Sequence, residues 1–218
     1  MSDTLIDKPT IINWALSDLG SFSTFSTEDD SDLADQIEKT WQRCVDHCFG
    51  LHDWTFARRT FKLNRHAAQP DNGWQYGFDL PGGMIGDPLK MLERAGQSPQ
   101  PLRHYDIEGR AVYANVPQCW ARVRQLVRPD EWDPAFRAAF TVALAGYLAV
   151  PVTHNSDERD ARMVQAFGTP SKEGTGGMFG RLIAQNRAAA PVGQPLLNDD
   201  PLTAARDSFG GMPWHGRY

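Results

Sequence analysis

Apolar positions along this chain follow two different periods, and the change of period divides it. Residues 33–59 read LADQIEKTWQRCVDHCFGLHDWTFARR. Leu33, Ile37, Trp41, Cys44, Cys48 and Leu51 recur every four or three residues, the spacing that lines up one face of an amphipathic helix. The run DWTFARR then turns the chain out of that helix into extended backbone. Upstream, Pro9 suits a first helical position, and Ile11, Ile12, Ala15, Leu16 and Leu19 form a short stripe that Gly20 closes. Trp14 is expected at the edge of that stripe. Ser26 and Thr27 followed by Glu28, Asp29 and Asp30 read as the start of the second helix: hydroxyl caps, then acids at the positive end of the dipole.

From residue 54 to 128 the period drops to two. Phe61 and Leu63 alternate with polar neighbours. So do Trp74, Tyr76, Phe78 and Leu80, then Tyr105 and Ile107, and finally Ala121, Val123 and Val127. Glu108-Gly109 turns the chain into Ala111, Val112 and Tyr113, and PDNG, PGG, DP and QSP segments punctuate the rest. This pattern predicts four or five short antiparallel strands. The helical period returns at Asp133-Pro134, a cap followed by a first-turn proline, and continues through Phe136, Phe140, Ala143, Leu144, Tyr147 and Leu148. Pro151 is expected to end or kink that helix. A fourth helix starts at Asn155 and carries Met163, Val164 and Phe167. The glycines of residues 168–177 interrupt it, residues 174–180 read as a flexible loop, and the helical pattern resumes from Met178 to Ala190. Residues 191–218 show no period yet end in Phe209, Met212, Trp214 and Tyr218.

These periods predict an α+β fold. Residues 1–53 and 129–190 form an antiparallel bundle of about four helices, residues 54–128 an inserted small antiparallel β region, and residues 191–218 an extended C-terminal arm. The composition of the 218 residues, 41% apolar and 22% charged, is that of an ordinary folded chain. No unbroken apolar run of about 18 residues is present, so no membrane span is expected. The first residues lack a basic and apolar leader, so no signal peptide is expected. Three cysteines do not make a disulfide framework and are read as reduced thiols.

Charge changes the picture more than composition does. Residues 1–53 hold three Lys/Arg against 11 Asp/Glu, residues 54–128 hold 11 against six, and residues 129–218 hold eight against ten. The middle segment is thus basic on a chain of net charge −5. Arg58, Arg59, Lys62 and Arg65 follow the aromatic corner, and Arg122 and Arg124 lie on the last strand. They are candidate contacts to DNA or to a protein partner, set against a solvated strand face.

No motif asks for catalysis or a metal. Cys44 and Cys48 with His47 and His52 form the one metal-like cluster, but both thiols lie on a helix face expected to be core. Structural zinc usually takes four ligands from paired turns. His66, His104, His154 and His215 are scattered. Residues 174–180 share only their glycine count with a phosphate loop, lacking the preceding strand and the Gly-Lys-Ser/Thr. The acid pairs Asp29/Asp30 and Asp199/Asp200 sit in polar runs, not in the apolar setting that raises a catalytic carboxyl. No catalytic residue, metal or cofactor is assigned.

Six segments in order carry a resemblance: NWALSDLG at 13–20, EDD at 28–30, HDWTFARR at 52–59, GWQYGFDLP at 73–81, DEWDPAF at 130–136 and LAVPVT at 148–153. Over residues 10–165 the chain resembles the head-to-tail adaptor proteins of tailed bacteriophages, the tail tubular protein A family. The resemblance implies a structural virion protein. It would form a homo-oligomeric, typically dodecameric, connector ring under the portal protein, continue the DNA channel, and offer a platform to the tail nozzle or tail tube. It also implies assembly in the host cytoplasm, residence in the virion neck, passage of genomic DNA without sequence-specific binding, and no enzymatic activity. The arm would clasp the portal through Phe209, Met212, Trp214 and Tyr218. The glycine-rich break at 168–180 departs from the more continuous last helix of that family. The alternative reading is a DNA-binding or DNA-packaging accessory module using the basic 58–128 region.

Overall fold

A computed structural model describes residues 6–21, 25–26, 31–96, 99–172 and 175–189. Five α-helices and eight short strands occur among them: α1 Lys8–Asp18, α2 Asp32–Gly50, β1 Arg58–Lys62, β2 Asn64–Arg65, β3 Tyr76–Asp79, β4 Lys90–Arg94, β5 Gln100–Pro101, β6 Tyr105–Glu108, β7 Ala111–Ala114, β8 Trp120–Arg124, α3 Pro134–Thr153, α4 Ser156–Phe167 and α5 Gly177–Ala189. The fold is mixed α+β. The chain divides into residues 1–186 and residues 187–218. Phe209, Met212, Trp214 and Tyr218 lie outside the described residues, as do Asp29, Asp30, Asp199, Asp200 and His215.

Local chemistry sets the helix ends. Asp7 accepts from the Thr10 amide and hydroxyl at the start of α1, bonds that also hold its carboxyl below the usual range. At the other end Gly20 takes φ +68°, with Gly20 N–H bonded to Ser17 and Ser21 N–H to Leu16. This is the paired closure in which glycine carries the left-handed residue. The cap of α2 is Ser31, which accepts from the Ala34 amide, so the helix starts later than Ser26 and Thr27 suggest. Ser and Asp are both strong caps, and residue pattern alone does not choose between adjacent ones. Asp133 caps α3 by accepting from both Ala135 and Phe136. Pro151 does not stop α3. It sits in the last turn, and the helix ends at His154 in the left-handed conformation.

The strands number eight where four or five were expected. They form two four-stranded antiparallel sheets, ordered β1-β8-β4-β5 and β2-β3-β7-β6. Strand β4 escaped the period because Met91 and Leu92 are adjacent and both buried. Strand β5 is two residues long and contains a proline. Leu63 separates β1 from β2, so one extended stretch serves both sheets, and the Leu63 amide bonds to the Cys119 carbonyl at 2.9 Å. Val127 was expected to continue β8. Instead the strand ends at Arg124, and Val127 packs with the helices.

Among the described residues there are two apolar clusters. The first joins α1 to α5 with Trp54, Ala57, Val127 and Trp132, and the second lies between the sheets around Phe78, Met91, Val112, Ala121 and Val123. Helix α3 runs through the first. By length and composition it alone among the described helices could cross a membrane, with mean hydropathy 1.6, a test no segment was expected to pass. Ten of its residues are nevertheless buried, from Phe136 to Ala149, as in the central helix of a core. Trp14 is 42% exposed and lines a groove with Pro134, Arg137 and Thr141.

Candidate functional surface

The C-terminus of α2 is where helices and sheet meet. The last turn of any α-helix leaves carbonyls without intrahelical donors. Here side chains supply them. The Trp54 indole N–H donates to the Cys48 carbonyl at 3.0 Å, and Arg124 of β8 donates to the Phe49 and Gly50 carbonyls, each at 3.4 Å. A guanidinium at the negative end of the helix dipole is favourable on electrostatic grounds as well. The Arg124 Nε is buried with no acceptor of its own. The turn at Gly86 closes over this side chain so tightly that a Cβ there would lie 2.8 Å from its terminal nitrogen.

Around this joint the aromatic rings pack edge to face. Phe136 meets Phe49 at 5.2 Å, Trp54 at 5.0 Å and Trp132 at 5.5 Å between centroids. Trp132 donates to the Val127 carbonyl at 2.9 Å. Two of the six quoted segments, 52–59 and 130–136, therefore pack against one another.

Register then sorts the basic residues. In an antiparallel pair, directly opposed residues share a face. Arg58 opposes Arg124, Thr60 opposes Arg122, Lys62 opposes Trp120, and Lys90 of β4 also opposes Arg122. All of these lie on the face away from Phe61, Met91, Ala121 and Val123, which belong to the cluster between the sheets. Arg58 is engaged by Asp53, with one bond to its carboxylate at 2.8 Å and one to its carbonyl at 3.1 Å. Arg59 points to the other face. It donates to the Phe56 and Arg58 carbonyls and pairs with Glu131 at 3.1 Å. Lys62 lies over the Trp120 ring at 5.7 Å, and Arg122 donates to the Thr60 hydroxyl at 3.4 Å. Thr60, Lys62 and Lys90 are exposed, and Trp120 and Arg122 are half-buried.

Of the six basic candidates, Arg65 lies on β2 of the other sheet with its guanidinium over the Tyr76 ring at 5.1 Å, while Lys62 and Arg122 share one outer face. Arg58 and Arg124 sit at its end where α2 abuts, and Arg59 is on the opposite side. Sequence reasoning missed Lys90 and Trp120. Only recognition of β4 as a strand beside β8 would have placed Lys90 there.

The cysteine–histidine cluster is dispersed by the fold. The Cys44 and Cys48 sulfurs are 3.8 Å apart and buried, and burial raises the Cys48 thiol well above its ordinary value. His47 turns away and shares a 2.7 Å hydrogen bond with Tyr147, and its ring stacks on Phe167 at 4.5 Å. Burial first, then the nearby thiols, pushes Tyr147 up to about 12, while burial and Arg43 lower His47. His52 bonds to Asn186 at 3.2 Å. Cys119 is buried elsewhere and pushed up to about 11. Among the described residues, no three His, Cys, Asp or Glu converge as metal ligands.

Among the described residues of the glycine-rich break, backbone packs closely on backbone. The Gly176 amide bonds to the Phe167 carbonyl at 2.9 Å, and a Cβ on Gly168 would lie 2.7 Å from the Gly176 Cα. An apolar groove of about 490 Å³ opens beside it, lined by His47, Met163, Val164, Phe167 and Pro170. The protein is thus an α+β chain with a helical core, a paired-sheet core, and one basic outer sheet face. Searches against family models and against curated proteins find no match for the chain.

Proposed function

We propose that this protein is a structural adaptor of a tailed-phage virion, a ring of identical copies that joins the portal to the tail and continues the DNA channel. In this reading the helices form a bundle into which the β region is inserted. The extended arm, residues 191–218, clasps the portal through Phe209, Met212, Trp214 and Tyr218. The partners are the portal protein, the tail nozzle or tube, and other copies of the chain. DNA passes without sequence-specific contact, no chemistry is performed, and no cofactor or membrane is involved.

The observation that carries the reading is the ordered set of segments that resemble adaptor proteins. Two of them, HDWTFARR and DEWDPAF, build the aromatic joint around Phe136. A structural role is further supported by the way polar groups are used. Asp7, Ser31, Asp133 and Asn155 cap helices, and Arg58, Arg59 and Arg124 tie the joint together. The test is to mix the purified full chain with its portal and image the mixture by electron microscopy. Closed rings stacked on the portal are expected, and their absence at micromolar concentrations of both proteins overturns the reading.

The second reading, a DNA-binding or packaging accessory, draws on Lys62, Lys90 and Arg122 sharing one face. It requires a gel shift of duplex DNA that weakens steeply with salt.

A further inference from the structure

The outer face of β1, β8 and β4 presents Lys62, Lys90 and Arg122 around Trp120, and Thr60, Lys62 and Lys90 are exposed. The same chain carries its complement. Residues 1–53 have net charge −8, and the first turn of α2 exposes Asp32 and Asp35. Two carboxylates outweigh the roughly half charge of a helix N-terminus, so that turn is net negative.

Among the described residues no ion pair joins these two surfaces within one chain. The basic face adjoins the C-terminal end of α2, whose carbonyls Arg124 holds, while Asp32 and Asp35 sit at its start. A helix of 19 residues is about 28 Å long at 1.5 Å per residue. Charges that far apart are separated by about three screening lengths at physiological salt. A rigid helix that carries acid at one end and abuts a basic sheet face at the other is a head-to-tail unit.

We propose that the basic outer face of β1, β8 and β4 seats the acidic first turn of α2 from a second copy of this chain. The inference rests on the ring reading and names the contact that would build it. Each copy offers one surface of each kind, so the contact is heterologous and propagates, closing when the rotation per step divides a full turn. Trp120 supplies an apolar centre with the cations around it, a combination that favours a specific seat over a diffuse one.

The test uses three forms of the full chain: wild type, a basic-face reversal (Lys62→Glu with Arg122→Glu), and an acid-end reversal (Asp32→Lys with Asp35→Lys). Light scattering reads self-association at low and high salt. The wild type is expected to associate at low salt and to weaken by about tenfold or more as salt rises, as charge-steered contacts do. Each reversal alone is expected to abolish association. Mixing the two is expected to restore it, since each then offers the other a complementary pair. Thermal unfolding checks that both variants fold, and Lys90→Glu, a change at an exposed position, repeats the test without touching β1 or β8.

Wild-type-like association of all the variants overturns the contact, and so does a wild type that stays monomeric at low salt. Loss of a DNA gel shift in the basic-face variant with association unchanged also overturns it, giving the face to phosphate. If portal-dependent rings form with every variant, the contact falls and the adaptor reading stands. Salt-sensitive open chains with rescue on mixing, but no rings on the portal, keep the contact and remove that reading.

Discussion

His47 shows how one side chain reports its surroundings. Its outer edge is exposed, but the ring stacks on Phe167 and bonds to Tyr147, with Arg43 on its own helix and Asp160 across the groove. Desolvation, then the Arg43 charge, lowers its pKa below the ordinary 6.5. Between the lowered value and 6.5 the unfolded chain binds a proton that the folded chain does not. Stability therefore rises with pH across that window. It is complete above about pH 6.5 and declines as the pH falls toward the folded value. Urea unfolding at pH 7.5 and 5.5 should show this decline in the wild type and a smaller one in His47→Gln. Equal declines in both proteins would remove His47 as the source.

At the scale of elements, the connection between α4 and α5 shows backbone doing what side chains do elsewhere. Gly177 takes φ +56°, and a Cβ there would lie 2.5 Å from the Gln165 carbonyl oxygen. A Cβ on Gly180 would lie 2.2 Å from the Thr175 oxygen. The glycines let the chain double back so that Phe179 stacks on Phe167 at 5.2 Å and meets Phe136 at 5.7 Å. Gly177→Ala should destabilise the protein by about 2 kcal/mol or more, the left-handed penalty plus the clash. A chemical-denaturation midpoint unchanged from wild type would show that the turn relaxes freely.

For the whole molecule, the arrangement of charge matters more than its total. The chain's net charge of −5 is the sum of an acidic first quarter, a basic middle and a mildly acidic remainder. In the adaptor reading proposed above, residues 191–218 act at this scale as well. A chain truncated after Gly193 should keep its thermal midpoint and lose attachment to the portal in a pull-down. Undiminished binding of the truncated chain would remove the clasp.

The sequence by itself determined where the helical period gives way to the strand period and back, and which faces of α1, α2 and α3 are apolar. The caps at Asp133 and Asn155 were also legible, because a cap acts on the two or three residues beside it. Only the tertiary structure decided what depends on neighbours distant in the chain. It set the pairing of β4 with β8, which brings Lys90 beside Arg122, and the pairing of β1 with β8, which brings Lys62 beside Trp120. It also brought Gly168 and Gly176 into close backbone contact and bound Arg124 to the end of α2. Periodicity is a local consequence of backbone geometry, whereas register and long-range hydrogen bonds follow from which surfaces bury one another, and that is not written at any one position.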